Sequence, residues 1–301
     1  MTTGVFTSIR DYSKMIKLSH SLFALPFAGL SAVMALSQSN LTLEEALKLL
    51  FWIVICMVSA RSAAMGFNRY VDREFDKKNE RTKVRELPSG KISEKAALAF
   101  IIFSSLLFLF GSYMINFKCF LLSFPALFII LFYSLSKRFT FLCHFILGLG
   151  IGIAPSGAWI AILDKLELVP ALWSFGLMFH IAGFDILYAM QDMDFDRQEG
   201  LYSIPAKFGL DTSFWIARLS HLFSFSLLLL AGYYAGLGMF YYIFLGIVAV
   251  LFLLEHSMVS REDLSKLPIA FFHINASISI ILFLGILLDK GGPLLQKFGL
   301  L

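Results

Sequence analysis

Asn68-Arg69-Tyr70-Val71-Asp72-Arg73-Glu74-Phe75-Asp76 ends a long apolar run, and Gln191-Asp192-Met193-Asp194-Phe195-Asp196 ends another. Polar acceptors recur every four residues, as Asn68, Asp72 and Asp76 in the first stretch and Asp192 and Asp196 in the second. On a helix that interval puts each set on one face, so each stretch is a row of oxygen ligands. Carboxylates beside apolar spans need something positive to hold, and a divalent cation answers that need.

The apolar runs around them set the fold class. Of 301 residues, 58% are hydrophobic, 16% aromatic and only 15% charged, far from the balance of a water-soluble domain. A spanning helix takes about 20 apolar residues. Nine candidate spans follow, near 20–37, 47–67, 95–115, 118–135, 141–163, 169–190, 212–235, 238–256 and 267–288. The expectation is an all-α polytopic membrane protein forming one domain over 1–301, with no cleavable signal.

Loop charge gives the expected orientation. With a cytoplasmic N-terminus, 19 of the 25 Lys and Arg fall on the cytoplasmic side, together with both acid rows. The net charge of +4 is thereby concentrated where anionic lipid heads or a phosphorylated substrate would meet it. It carries no sign of nucleic-acid binding. Arg10, Lys14 and Lys17 suggest an amphipathic lead-in on the membrane surface. Cys56, Cys119 and Cys143 lack metal or redox spacing and are expected in the core. The six histidines stand singly and are expected as core or interface residues.

Other features cluster near the rows. Arg61 precedes Asn68 by seven residues, and Asp185 precedes Asp192 by seven, so each lies two helical turns along the face of its row. Arg61 reads equally well as a functional residue or as the ion-pair partner of a neighbouring helix. The loop from Lys77 to Lys91 is strongly basic and ends in Pro88-Ser89-Gly90. Such a run is commonly a solvated face, but this one begins directly after a row of acids, where a diphosphate site would need positive charge. Tyr133 and Lys137 share a face. Ser21, Pro26 and Gly29 suggest a kinked first span. The small residues Gly148, Gly150, Gly152 and Gly157 either admit close helix packing or leave room for a substrate. The two acid-ended spans, each followed by a polar loop with Ser and Pro, suggest a weak internal repeat.

Mg²⁺ is typically held by one or two carboxylates and substrate phosphates. Two such rows would suit a diphosphate leaving group, with prenyl transfer the reaction that follows. A long isoprenoid tail partitions into lipid, and some of the 33 Phe would stabilise a carbocation.

The runs Ala60-Arg61-Ser62-Ala63-Ala64-Met65, Asn68 through Asp72 to Asp76, Leu87-Pro88-Ser89-Gly90, Tyr133 with Lys137, and Asp185 through Asp192 to Asp196 resemble those of the UbiA superfamily of intramembrane aromatic prenyltransferases. The resemblance covers the whole chain. It implies a nine-helix bundle around a central cavity, with a lateral opening to lipid. It also implies Mg²⁺-dependent transfer of a polyprenyl group from polyprenyl diphosphate to a small aromatic carboxylic acid, 4-hydroxybenzoate, ortho to its phenol. The setting it implies is respiratory quinone synthesis in a bacterial inner membrane, with the site facing the cytoplasm.

By the same resemblance Asn68, Asp72, Asp76, Asp192 and Asp196 bind metal and diphosphate, and Asp72, Asp192, Tyr133 and Lys137 form the catalytic set. Arg138 is assigned to the acceptor carboxylate, with Arg61, Asp185, Arg73 and Lys77 as further substrate-binding residues. The wording from Gln191 to Pro205 also resembles a subgroup linked to a menaquinone route, which leaves 1,4-dihydroxy-6-naphthoate as an alternative acceptor. An ion-coupled transporter is the non-enzymatic reading. It predicts acids near mid-span and inverted halves, whereas both rows here end their spans in like orientation.

Overall fold

The structure is a computed structural model that describes residues 11–16, 23–259, 264, 267 and 270–301. Its elements are helices, in the order α1 (Leu25–Gln38), α2 (Leu43–Val71), α3 (Arg73–Lys78), α4 (Glu94–Ile115), α5 (Phe117–Ser136), α6 (Cys143–Leu163), α7 (Leu168–Ala189), α8 (Met193–Gln198), α9 (Ile204–Tyr234), α10 (Met239–Met258) and α11 (Asn275–Lys297). Among the described residues eight helical stretches are long and apolar enough to cross a membrane, and α1 is a shorter apolar helix. These nine fall on the nine expected spans. The chain is an integral, multi-pass membrane protein.

Local chemistry sets the ends of several helices. Thr42 and Glu45 form a reciprocal capping box at the start of α2, satisfying two N–H groups that the helix cannot. Ser93, Asn116 and Ser203 cap α4, α5 and α9 by accepting from the third backbone N–H of each. Pro26 stands in the first turn of α1. Its missing N–H costs nothing there, so it starts the described helix rather than kinking it. Ser21 lies outside the described residues.

Two spans differ in extent from the sequence expectation. α9 begins at Ile204, not near 212, and bends at Gly209, whose φ of 79° suits glycine. α11 runs on through Gly291-Gly292-Pro293 to Lys297. Lys297 donates to the carbonyl oxygens of Leu36, at 2.7 Å, and Ser39, so it neutralises the open C-terminal end of α1. Lys118 pairs with Asp164 at 3.1 Å, and Lys290 reaches the Gly236 carbonyl. Lysines at this end of the bundle thus cap helix ends, while the opposite end holds the acid rows.

The core is built on Trp159, Trp173, Tyr241, Leu177, Ile181 and Phe27, all essentially buried. The glycines of α6 serve helix contact. A Cβ at Gly152 would lie 2.7 Å from the Ser174 carbonyl oxygen, and one at Gly148 would overlap that of Met178. α6 and α7 therefore approach backbone to backbone, whereas a Cβ at Gly157 would meet nothing.

A smaller apolar cluster, Met15, Ile16, Leu87, Ile92 and Ala97, fastens the basic loop to the bundle. Lys14 belongs to a short helical segment at 11–15, while Arg10 and Lys17 lie outside the described residues.

Candidate active site

Each acid row straddles a break in its helix. α2 ends at Asp72, whose φ and ψ are −90° and 0°, and α3 resumes at Arg73. α7 ends in a 3₁₀ turn, Met190–Asp192, and α8 resumes after Asp192 at −103° and 7°. A single helical face was expected in each case. The structure instead places both central aspartates in the sparsely populated bridge region. In the first row the four-residue interval survives the break, because the Asp72 N–H still donates to the Asn68 carbonyl at 3.0 Å and the Asp76 N–H to that of Asp72 at 2.8 Å. Each six-residue helix then carries a buried aspartate, Asp76 or Asp196. The suspected repeat therefore has a structural counterpart.

Both rows line one cavity of about 260 Å³. Asn68, Asp72, Asp76, Asp192 and Asp196 are on its wall, with Tyr133, Lys137, Arg61 and Asp185. Leu147, Ile151, Ile181, Phe23 and Phe184 form its apolar part. Every row carboxylate has a cation or a hydroxyl against it. Lys137 Nζ lies 3.4 Å from Asp72 Oδ2, and its charge also acts on Asp196. Asn68 Nδ2 donates to Asp72 at 3.1 Å. Arg85 Nη1 donates to both oxygens of Asp76, at 2.7 and 2.9 Å. Ser203 Oγ donates to Asp196 at 2.9 Å.

The loop after α3 contributes more than a solvated face. Arg81 Nε donates to Asp192 Oδ1 at 3.1 Å, its Nη2 donates to Oδ2, and its Nη1 donates to the Tyr188 hydroxyl at 3.1 Å. Burial disfavours the Arg81 charge, yet the hydrogen bond and charge of Asp192 hold its pKa above the ordinary arginine value. Asn79 donates to Asp192 at 3.2 Å and Lys78 pairs with Glu199 at 2.6 Å. The first loop is thus clamped to the second motif. Gly90 closes its turn at φ 75°.

Three of the expected substrate-binding residues lie off the cavity wall. Arg138 Nη2 donates to the Val71 carbonyl at 2.6 Å and reaches Asp72 Oδ1 at 3.4 Å; it caps the C-terminus of α2. Arg73 donates to the Tyr70 carbonyl and pairs with Glu94 at 3.1 Å. Lys77 pairs with Glu74 on the surface. Their charges are consumed locally. Arg61, by contrast, lines the cavity with its Nε buried, and among the described residues nothing hydrogen-bonds that atom.

Several lining residues were not singled out in the sequence: Arg69, Asn79, Arg81, Arg85, His144 and Ser203. The four-residue step from Arg81 to Arg85, matching the step of the acids, was the one available signal for that pair. His144 and Cys143 face the cavity, against the expectation of plain core or interface residues.

The UbiA prenyltransferase family model matches residues 24–277. The chain belongs to the UbiA prenyltransferase family. The 4-hydroxybenzoate octaprenyltransferase of Cronobacter sakazakii is 32% identical over 242 residues, which are 79% of this chain and 83% of the relative. That of Vesicomyosocius okutanii is 28% identical over 245 residues, covering 81% and 89%. The structure of a UbiA homologue from Aeropyrum pernix K1 superposes with a TM-score of 0.80 at 29% identity, covering 90% of this chain and 98% of that one. A UbiA homologue from Archaeoglobus fulgidus, solved with DMAPP and Mg²⁺, shares the fold at a TM-score of 0.63 and 19% identity, covering 90% and 99%. This UbiA-family chain is accordingly a membrane-embedded polyprenyltransferase with its acid rows at one end of the bundle.

Proposed function

We propose that this enzyme transfers a polyprenyl group from its diphosphate to a ring carbon of 4-hydroxybenzoate, ortho to the phenol, in respiratory quinone synthesis. The observation that carries the reading is the polarity of the cavity that both rows line. Acid rows with their arginines and lysines close one end, an apolar wall forms the other, and Arg61 stands on the wall with its Nε unpaired. The names of the relatives support the acceptor.

The donor set suits a divalent cation. All five side chains of the rows offer oxygen, as Mg²⁺ prefers. Among the described residues no three His, Cys, Asp or Glu side chains group as a protein-only metal site, and sites that share Mg²⁺ with phosphate oxygens need fewer protein ligands. Asn68, Asp72, Asp76, Asp192 and Asp196 would hold the metal and, through it, the diphosphate. The chemistry Mg²⁺ supplies when bound is neutralisation of the leaving group's charge.

The chain's own residues do the rest. Arg81, Arg85 and Lys137 stand beside the acids and bind diphosphate oxygens directly. Phe23 and Phe184, with ring centroids 5.3 Å apart, flank the allylic end of the prenyl chain and keep water from it. Arg61 takes the acceptor's carboxylate in place of Arg138, which lies off the cavity wall with its guanidinium on the Val71 carbonyl and Asp72. The excess of Lys and Arg at the acid-row end supports a cytoplasmic site.

The test is a mass-spectrometric assay of detergent-purified protein with Mg²⁺ and polyprenyl diphosphate, offered 4-hydroxybenzoate or 1,4-dihydroxy-6-naphthoate in separate tubes, with an EDTA control. Prenylated 4-hydroxybenzoate formed only with metal is the expected product. Prenylated naphthoate alone would move the enzyme to a menaquinone route, and product in EDTA would remove the metal from the scheme.

A further inference from the structure

Prenylating an aromatic carbon releases a proton, and the row carboxylates are poorly placed to take it. Asp72, Asp76 and Asp192 are each paired with Lys or Arg, and Asp196 accepts from Ser203. Oxygens that already accept from an ammonium, a guanidinium or a hydroxyl have fewer lone pairs to turn toward a substrate. The cavity holds one more acid, Asp185, which pairs with no lysine or arginine among the described residues.

Its partner is His144, whose Nδ1 lies 2.7 Å from Asp185 Oδ2. The other ring nitrogen settles the direction of that bond. Ile204 opens α9, where a backbone N–H has no partner within the helix, and this N–H donates to His144 Nε2 at 3.3 Å. Nε2 is therefore the acceptor and Nδ1 carries the hydrogen that is donated to Asp185. The imidazole itself is buried, at 3% side-chain exposure, while Asp185 is 25% exposed towards the cavity it lines. Asp185 thus presents a carboxylate fixed in place by the His144 ring N–H. It lies seven residues before Asp192, as Arg61 lies seven before Asn68. Arg61 and Asp185 line the same cavity, a cation for an acceptor's carboxylate and an acid for its ring proton.

We propose that Asp185 is the proton acceptor of the transfer and that His144 is the residue that positions it, an inference that rests on the aromatic-acceptor reading above. The C1–O bond of the prenyl diphosphate breaks with its electron pair on the departing diphosphate. The ring carbon ortho to the phenol supplies the pair for the new C–C bond. The C–H bond at that carbon then breaks, its pair restores the aromatic ring, and the proton goes to an oxygen of Asp185, from which water removes it.

The test compares wild type, Asp185→Asn, His144→Leu and His144→Asn with 4-hydroxybenzoate and with the same acid deuterated at both positions ortho to the phenol. Binding of geranyl diphosphate with Mg²⁺ is measured alongside by calorimetry, as a readout of folding and of the diphosphate end. Asp185→Asn is expected to bind geranyl diphosphate normally and to lose about 100-fold or more in turnover. Its deuterium isotope effect should rise above that of wild type, because proton loss becomes the slow step. His144→Leu should show the same signature in weaker form. His144→Asn, whose amide N–H still reaches Asp185, should recover most of the loss, which a merely structural histidine would not explain. Turnover of Asp185→Asn within about two-fold of wild type, or an isotope effect unchanged from wild type in a slowed enzyme, overturns the assignment. Wild-type protein that binds geranyl diphosphate but prenylates neither aromatic acid overturns the acceptor reading itself, and this assignment with it.

Discussion

Arg81 grips Asp192 across 111 residues of chain, with Nε donating to one carboxylate oxygen and Nη2 to the other. A fork of this kind needs the planar guanidinium, since an ammonium offers a single point of charge. The same guanidinium reaches the Tyr188 hydroxyl, so it fixes the basic loop over the second motif. Arg81→Ala should therefore raise KM for polyprenyl diphosphate and lower turnover by at least about ten-fold, the scale of one charge-assisted hydrogen bond. Arg81→Lys should recover little of either. Steady-state kinetics at saturating 4-hydroxybenzoate read both.

Asp76 is only 6% exposed and its two oxygens take Arg85 Nη1. Removing one partner of a buried pair strands the other charge, at about 3–5 kcal/mol. Arg85→Ala should lower the thermal midpoint of the detergent-solubilised protein. Arg85→Ala combined with Asp76→Asn should regain part of that stability while activity stays low, which separates the structural role of the pair from its role in the site.

The spans, the acid rows and the deeper pair Arg61 and Asp185 were legible in the sequence because both apolar length and helical spacing are local patterns. What the sequence did not disclose depends on contacts distant along the chain. Arg81 and Arg85 sat among four other Lys and Arg between 77 and 91, and only the folded loop separates them from Lys77, which pairs with its own neighbour Glu74. Arg138 was assigned to the acceptor carboxylate through the family resemblance, and nothing local showed that its guanidinium would cap the end of α2. His144 was one histidine among six, and its significance rests on Asp185 and on the first N–H of α9. The helix breaks at Asp72 and Asp192 leave no mark in composition, since neither glycine nor proline makes them.

Gly148 and Gly157 lie nine residues apart on α6 and make a controlled pair. A methyl at Gly148 would overlap the Met178 carbonyl, whereas one at Gly157 meets open space. Gly148→Ala should cost about 1–3 kcal/mol by forcing α6 from α7. Gly157→Ala should be neutral or stabilising by about 0.4–1 kcal/mol through the unfolded chain. Thermal unfolding of the two variants in one detergent compares them directly, and equal midpoints would show that the α6 and α7 backbones are not in contact at Gly148.

Arg61 and Arg138 make opposite predictions for the acceptor. If Arg61 holds the acceptor carboxylate, Arg61→Ala should raise KM for 4-hydroxybenzoate by about 10- to 100-fold, the worth of a hydrogen bond to a charged group, with KM for polyprenyl diphosphate little changed. The methyl ester of 4-hydroxybenzoate lacks that charge, so wild type and Arg61→Ala should use the ester almost equally. Arg138→Ala removes the cap on the Val71 carbonyl and one neighbour of Asp72. It should lower stability and diphosphate affinity while leaving the preference for acid over ester intact. A preference that disappears in Arg138→Ala and survives in Arg61→Ala would return the carboxylate to Arg138, and would require the end of α2 to release that side chain when substrate binds.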